Sequence, residues 1–118
     1  MRDSLGRFEE LILLAMLRLG PETYGLALRR EVEERTGREV SIGALYTALK
    51  RLEQRGLVSS QVGEPTAERG GRRKRHYCLK APGVVALRNS YTDYTSMAQG
   101  LGPKIADAVA RVDRGAGE

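Results

Sequence analysis

Five cations, Arg69, Arg72, Arg73, Lys74 and Arg75, fall within seven residues and are separated only by Gly70 and Gly71. Guanidinium and ammonium groups at that density attract a polyanion, and glycine beside them lets the backbone follow a phosphate chain. A second constellation lies upstream. Ser41, Gly43, Ala44, Tyr46, Thr47, Lys50, Arg51 and Gln54 combine hydroxyl, amide and cationic groups with two residues small enough for close approach. At about 100° per residue, Gly43, Ala44, Thr47, Arg51 and Gln54 fall on one side of a helix, with Lys50 at the margin. Thr47, Lys50, Arg51 and Gln54 suit base edges or phosphates in a major groove, while Ser41 and Tyr46 can donate hydroxyl hydrogen bonds to phosphate.

Other chemistry finds little support. The chain has one histidine and one cysteine, His76 and Cys78, two apart and so on one face of a strand. Two ligands do not make a metal site without further donors. A single histidine also leaves no set of nucleophile, base and orienting group, and Gly70-Gly71 has neither standard phosphate-loop spacing. The sequence therefore predicts no enzyme, no metal and no cofactor.

The elements that must position the two basic constellations follow from periodicity. A chain of 118 residues with 41% hydrophobic content supports one thin core, which a partner subunit would help. Apolar residues from Leu5 to Leu19 predict a first helix buried on more than one face, stopped at Gly20-Pro21. Thr23 is the expected N-cap of a second helix through Arg35, ended by Gly37. Ser41 caps a third, which carries the stripe Ile42, Leu45, Leu49 and Leu52 and closes at Gly56. Strands over Leu57–Val62 and Arg75–Leu79 form a hairpin whose long tip holds the arginine cluster. The last segment, from about Pro82, repeats Val84, Leu87, Tyr91, Tyr94, Ala98, Leu101, Ile105, Ala108 and Val112 at spacings of three and four. That is a heptad seam for a second copy, interrupted by Gly100, Gly102 and Pro103. Three helices followed by a hairpin is the winged-helix order. The expected fold is mainly α with a small β-hairpin: a winged helix-turn-helix over residues 1–80, a dimerisation helix over 81–114, kinked or broken near 100–103, and a frayed tail over 115–118.

The run Val40-Ser41-Ile42-Gly43-Ala44-Leu45-Tyr46-Thr47-Ala48-Leu49-Lys50-Arg51-Leu52-Glu53-Gln54-Arg55-Gly56-Leu57-Val58 resembles the third helix and first strand of PadR-family transcriptional regulators. Gly70 to Leu79 is similar to that family's wing and closing strand, and Gly25 falls at its glycine in the second helix. The likeness spans about residues 5 to 90 and rests on the combination, no single piece being specific. It implies a winged-helix homodimer, usually a repressor released by a small molecule or another signal, and the short C-terminal region is similar to the compact branch with one such helix. Some relatives of that branch have an apolar pocket formed by the first and last helices. Tyr91 and Tyr94 either fill the seam or line such a cavity. The sequence departs from the family pattern at Leu26, Ala44 and Lys80, where an aromatic residue, a hydroxyl residue and Thr are common.

Together these readings predict a cytoplasmic, dimeric regulator with double-stranded DNA as partner, a small-molecule effector of unassigned chemistry and no membrane. Gly43, Ala44, Thr47, Lys50 and Gln54 face the groove, and Arg72, Arg73 and Lys74 grip the backbone. Val84, Leu87, Tyr91, Tyr94, Ala98, Leu101 and Ile105 form the dimer seam. The rival readings are a winged helix that docks a protein and a binder of double-stranded RNA.

Overall fold

Gly6 has extended backbone angles and its N–H donates to Glu9 Oε1 at 2.8 Å, so the first helix, α1, begins at Arg7 rather than Leu5 and runs to Leu19. Ile12, Leu13, Ala15 and Met16 are buried on it, as expected of a helix covered on several sides. The computed structural model describes residues 4–63 and 74–116. After Gly20, at φ 112°, comes an element that periodicity did not signal: Thr23–Tyr24 form a short strand, β1. Thr23 is therefore not an N-cap. Its hydroxyl donates back to the Gly20 carbonyl, and its backbone lies opposite Tyr77 in the sheet. Two residues are too few to show alternation, so only tertiary pairing reveals the strand.

Helix α2, Gly25–Thr36, ends at Gly37, whose φ of 71° is the left-handed closure that glycine supplies without strain. Helix α3, Ile42–Gln54, starts from Ser41, whose Oγ accepts the Ala44 N–H at 3.0 Å. That hydroxyl satisfies one of the N–H groups a helix start leaves without an intrahelical partner. Leu45, Ala48, Leu49 and Leu52 form the buried face of α3. Ile42, expected in that stripe, is 52% exposed because it occupies the first helical position, a turn beyond the part of the helix that the core covers. The chain then forms β2, Val58–Val62, and β3, Arg75–Leu79, antiparallel with Val58 opposite Leu79 and Val62 opposite Arg75. The sheet order β1-β3-β2 puts the closing strand in the middle, paired on both sides.

Helix α4, Ala81–Ala98, has Pro82 in its first turn, where a missing N–H costs nothing. It crosses back over α1 and buries Leu87 in the common core with Ile12, Leu13, Leu45, Leu49 and Tyr77. Its close approach depends on Gly83, where a Cβ would stand 2.3 Å from the Leu57 carbonyl oxygen. Gly100, at φ 77°, ends α4, and α5, Gly102–Ala116, begins anew with Pro103 in its first turn. The C-terminal region is thus two helices, parted within the stretch where a kink or break was expected. Gly115 and Ala116 continue α5, one glycine at the end of a formed helix costing only about 1 kcal/mol, and the rest of the expected frayed tail, residues 117–118, lies outside the described residues.

Candidate nucleic-acid interface

The outward face of α3 is open as the helical wheel predicts. Ser41, Gly43, Ala44, Thr47, Lys50, Arg51 and Gln54 are all exposed, and a Cβ at Gly43 would meet nothing within 4 Å. Among the described residues no carboxylate pairs with Lys50 or Arg51, whereas Arg7, Arg29, Arg35 and Arg55 are each in an ion pair. Uncommitted cations beside small residues leave a surface that a polyanion can approach closely. Thirteen helical residues span about 20 Å, and a helix of that kind fits a major groove about 12 Å wide.

Tyr46 is different from its neighbours on that helix. It is 40% exposed, yet its ring packs on the start of α2: a Cβ at Gly25 would lie 2.8 Å from Tyr46 Oη and 3.0 Å from its Cε1. The absence of a side chain at Gly25 leaves room for this ring, so Tyr46 links the two helices as well as presenting a hydroxyl.

Several polar links fix how α3 sits. At its C-terminal end, Arg55 Nη1 reaches the buried Glu9 carboxylate of α1 at 3.4 Å. On the wing side, Ser60 Oγ donates to Glu53 Oε2 at 2.7 Å and accepts from Arg75 Nη1 at 2.9 Å. This chain of bonds joins α3 to both strands of the hairpin. At the hairpin base Gly63 N–H donates to the Lys74 carbonyl, and the Lys74 ammonium lies 4.8 Å from the centre of the Tyr24 ring. Tyr24 in turn meets His76 edge to face at 4.6 Å, and His76 Nδ1 is 3.9 Å from Glu22 Oε2. His76 thus belongs to a packed strand surface. No cluster of three metal-binding side chains occurs among the described residues. Burial pushes the Tyr77 phenol above its ordinary pKa, with Tyr46 and Glu53 adding to the effect and Arg75 opposing it. Arg72 and Arg73, expected to grip the backbone, lie outside the described residues, and of that trio only Lys74 can be placed.

Reasoning from sequence missed Glu53, Ser60 and Tyr24, whose partners are distant in the chain. It also missed Arg29 and Glu33, although their spacing of four along α2 was a visible signal.

The seam residues divide. Leu87 is 5% exposed because the chain's own core takes it, which corrects its assignment to the interface with a second copy. Val84, Tyr91, Tyr94, Leu101 and Ile105 remain exposed and Ala98 is half-buried. Tyr91 and Tyr94 line a cleft of about 200 Å³ between α1 and α4 with Arg7, Glu10, Leu11, Leu14 and Leu87. The Arg7 guanidinium lies 4.9 Å from the Tyr94 ring centre, and the Ser90 hydroxyl donates to Glu10.

The winged-helix fold is also that of a DNA-binding protein this chain superposes on. The sequence profile described as the transcriptional regulator PadR-like family matches residues 13–89. The chain belongs to the PadR-like family. That stretch runs from α1 through the open face of α3 and the hairpin to the Leu87 turn of α4. RosR of H. salinarum is 27% identical to this PadR-like chain, with 96% of this chain and 94% of that one covered at a TM-score of 0.62. A PadR family transcription regulator from Clostridium difficile R20291 superposes at a TM-score of 0.70 over 85% of this chain and 99% of that one, at 23% identity. F93 from STIV, a winged-helix DNA-binding protein, shares the fold at 14% identity and a TM-score of 0.66, over 83% of this chain and 98% of that one. No curated protein matches. A PadR-like transcriptional regulator is a DNA-binding protein and in general not an enzyme. No helix among the described residues is long and apolar enough to cross a membrane.

Proposed function

We propose that this PadR-like regulator acts as a homodimeric repressor on a two-fold symmetric operator. The observation that carries the reading is the exposed face of α3, small at Gly43 and Ala44 and bearing Thr47, Lys50, Arg51 and Gln54, with no carboxylate among the described residues against the two cations. In this reading Gly43, Ala44, Thr47, Lys50 and Gln54 enter the major groove, Ser41, Tyr46 and Arg51 support them at its edge, and Arg72, Arg73 and Lys74 neutralise phosphates. Dimerisation uses Val84, Tyr91, Tyr94, Ala98, Leu101 and Ile105. It is favoured by the apolar face of α5, where Ile105, Val109 and Val112 are 58%, 52% and 68% exposed. The cleft between α1 and α4 supports release by a small effector, since apolar walls with an aromatic pair and a carboxylate suit a planar organic molecule.

Selection of duplexes from a random pool tests the reading. A palindromic consensus is expected, with an affinity that falls steeply with salt. Thr47→Ala or Gln54→Ala should cost about 1–3 kcal/mol on the selected duplex and leave random DNA nearly unaffected. Arg72→Gln with Arg73→Gln should weaken both and reduce the salt slope by about one for every phosphate no longer neutralised. A pool that yields no enriched sequence, or binding indifferent to salt, would overturn it.

A further inference from the structure

The turn between α2 and α3 carries one residue whose backbone is held entirely by side chains. Val40 immediately precedes Ser41, the N-cap of α3, and is 6% exposed. Its N–H donates to Glu33 Oε2 at 2.9 Å and its carbonyl accepts from Arg29 Nε at 2.6 Å. The two side chains are one turn apart on α2, and Arg29 Nη2 lies 3.8 Å from Glu33 Oε2. No backbone group pairs with Val40 among the described residues. A buried peptide unit must find partners or suffer the cost of desolvation, and here both come from one pair of opposite charges.

We propose that Arg29 and Glu33 are positioning residues for DNA reading: their grip on both backbone groups of Val40 sets where α3 starts and how its first turn is aimed. This rests on the DNA-binding role of α3 proposed above. The physical case is leverage. Gly43, Ala44 and Thr47 lie in the first two turns beyond the clamp, and base readout tolerates little displacement whereas phosphate attraction tolerates much. Release of the clamp therefore degrades discrimination before it degrades binding. Each of the two bonds has one ionised partner, so they are of the stronger kind.

Glu33 gives the decisive test because simple electrostatics predicts the opposite sign. Removing a negative charge strengthens attraction to DNA, whereas releasing Val40 weakens reading. Glu33→Ala should bind a duplex selected by the wild-type protein roughly tenfold more weakly, about the worth of one charge-assisted hydrogen bond. It should bind random duplex as tightly as wild type or tighter, with the Val40 amide exchanging its hydrogen faster. Glu33→Gln retains an acceptor and should recover most of the selected-duplex affinity and the Val40 protection. Arg29→Lys keeps the charge but removes the fork that reaches Val40 and Glu33 together, so it should also lower selected-duplex affinity while leaving random binding unchanged. Equal losses of affinity on both DNAs, or Glu33→Ala binding the selected duplex as wild type does, would overturn the positioning role. Failure of the wild-type protein to select any duplex would overturn the DNA reading and the positioning role with it, and the Val40 exchange rates would still report whether the clamp exists.

Discussion

The part of the chain from α1 to α4 and the helix α5 are built on opposite terms. In the first, Ile12, Leu13, Leu28, Leu45, Leu49 and Leu52 have no exposed surface, and Val40, in the turn before α3, has its backbone groups satisfied by side chains from a neighbouring helix. In α5 none of the described side chains is buried and no described element packs closely against it, although its apolar side chains line one face. The radius of gyration is 18.0 Å, against about 13 to 14 Å for a compact chain of this length, and the longest dimension is 61 Å. The first region closes a core within one chain, although α4 keeps Val84, Tyr91 and Tyr94 exposed on its outer side. The second has no buried side chain among the described residues, which is why association is proposed for it together with the outer side of α4, and DNA reading for α3.

Glycine provides the widest separation between the two. At Gly83 a Cβ would press 2.3 Å from the Leu57 carbonyl oxygen and 2.7 Å from Leu79 Cδ1, and a backbone carbonyl has no rotamer to move aside. Gly83→Ala should cost about 3 kcal/mol or more in urea unfolding, at the upper end of overpacking effects. Gly102→Ala, where a Cβ meets nothing within 4 Å, should cost nothing measurable. Equal effects at the two sites would mean that α4 is not docked on the start of β2 as described.

Leucine and isoleucine make the same comparison at smaller scale. Leu87→Ala removes a side chain that is 5% exposed and should lower unfolding free energy by about 2 to 3 kcal/mol at any protein concentration. Ile105→Ala, at a position 58% exposed, should change the unfolding of the monomer by less than about 0.5 kcal/mol and instead raise the concentration needed for dimers in sedimentation. If Ile105→Ala destabilised the chain as Leu87→Ala does, α5 would have an intrachain partner.

This division also marks how far the sequence can be read. Helical periodicity placed α3 and its outward face because Ser41, the leucine stripe and Gly56 are local signals within one element. Local reading likewise placed β3 at Arg75–Leu79, from strand signals beside a polar connection. It failed where geometry depends on residues far apart. Thr23 looked like a cap because hydroxyl residues before a helix usually are, whereas pairing with Tyr77 claims its backbone. Leu87 matched a seam because heptad spacing cannot say which neighbour fills it, and the chain's own core takes it. The link from Glu53 through Ser60 to Arg75 carried no pattern, since it exists only after β2 and β3 pair beside α3.

The smallest expected effect concerns pH and belongs to the first region alone. Tyr77 lies on the middle strand, 5% exposed, and its phenol is held above the ordinary value of 10.0 chiefly by exclusion of solvent. A raised pKa in the folded chain means that the native state keeps this proton while the unfolded chain gives it up. The associated stability is fully present below about pH 10 and is lost as pH rises through the folded-state pKa. Thermal midpoints should therefore fall between about pH 9 and more alkaline solution, and Tyr77→Phe should make that fall shallower because a phenyl ring keeps the packing and has no proton to lose. The neighbouring charges refine the expectation. Arg75 lowers the pKa of Tyr77 while Glu53 raises it, and Ser60 lies between the two. Arg75→Gln removes the neighbouring charge that favours the phenolate, so it should push the Tyr77 pKa higher and steepen the alkaline fall. A Tyr77→Phe protein whose alkaline fall matched that of wild type would show that the ring titrates as it does in the unfolded chain, and that the middle strand is less closed than its burial indicates.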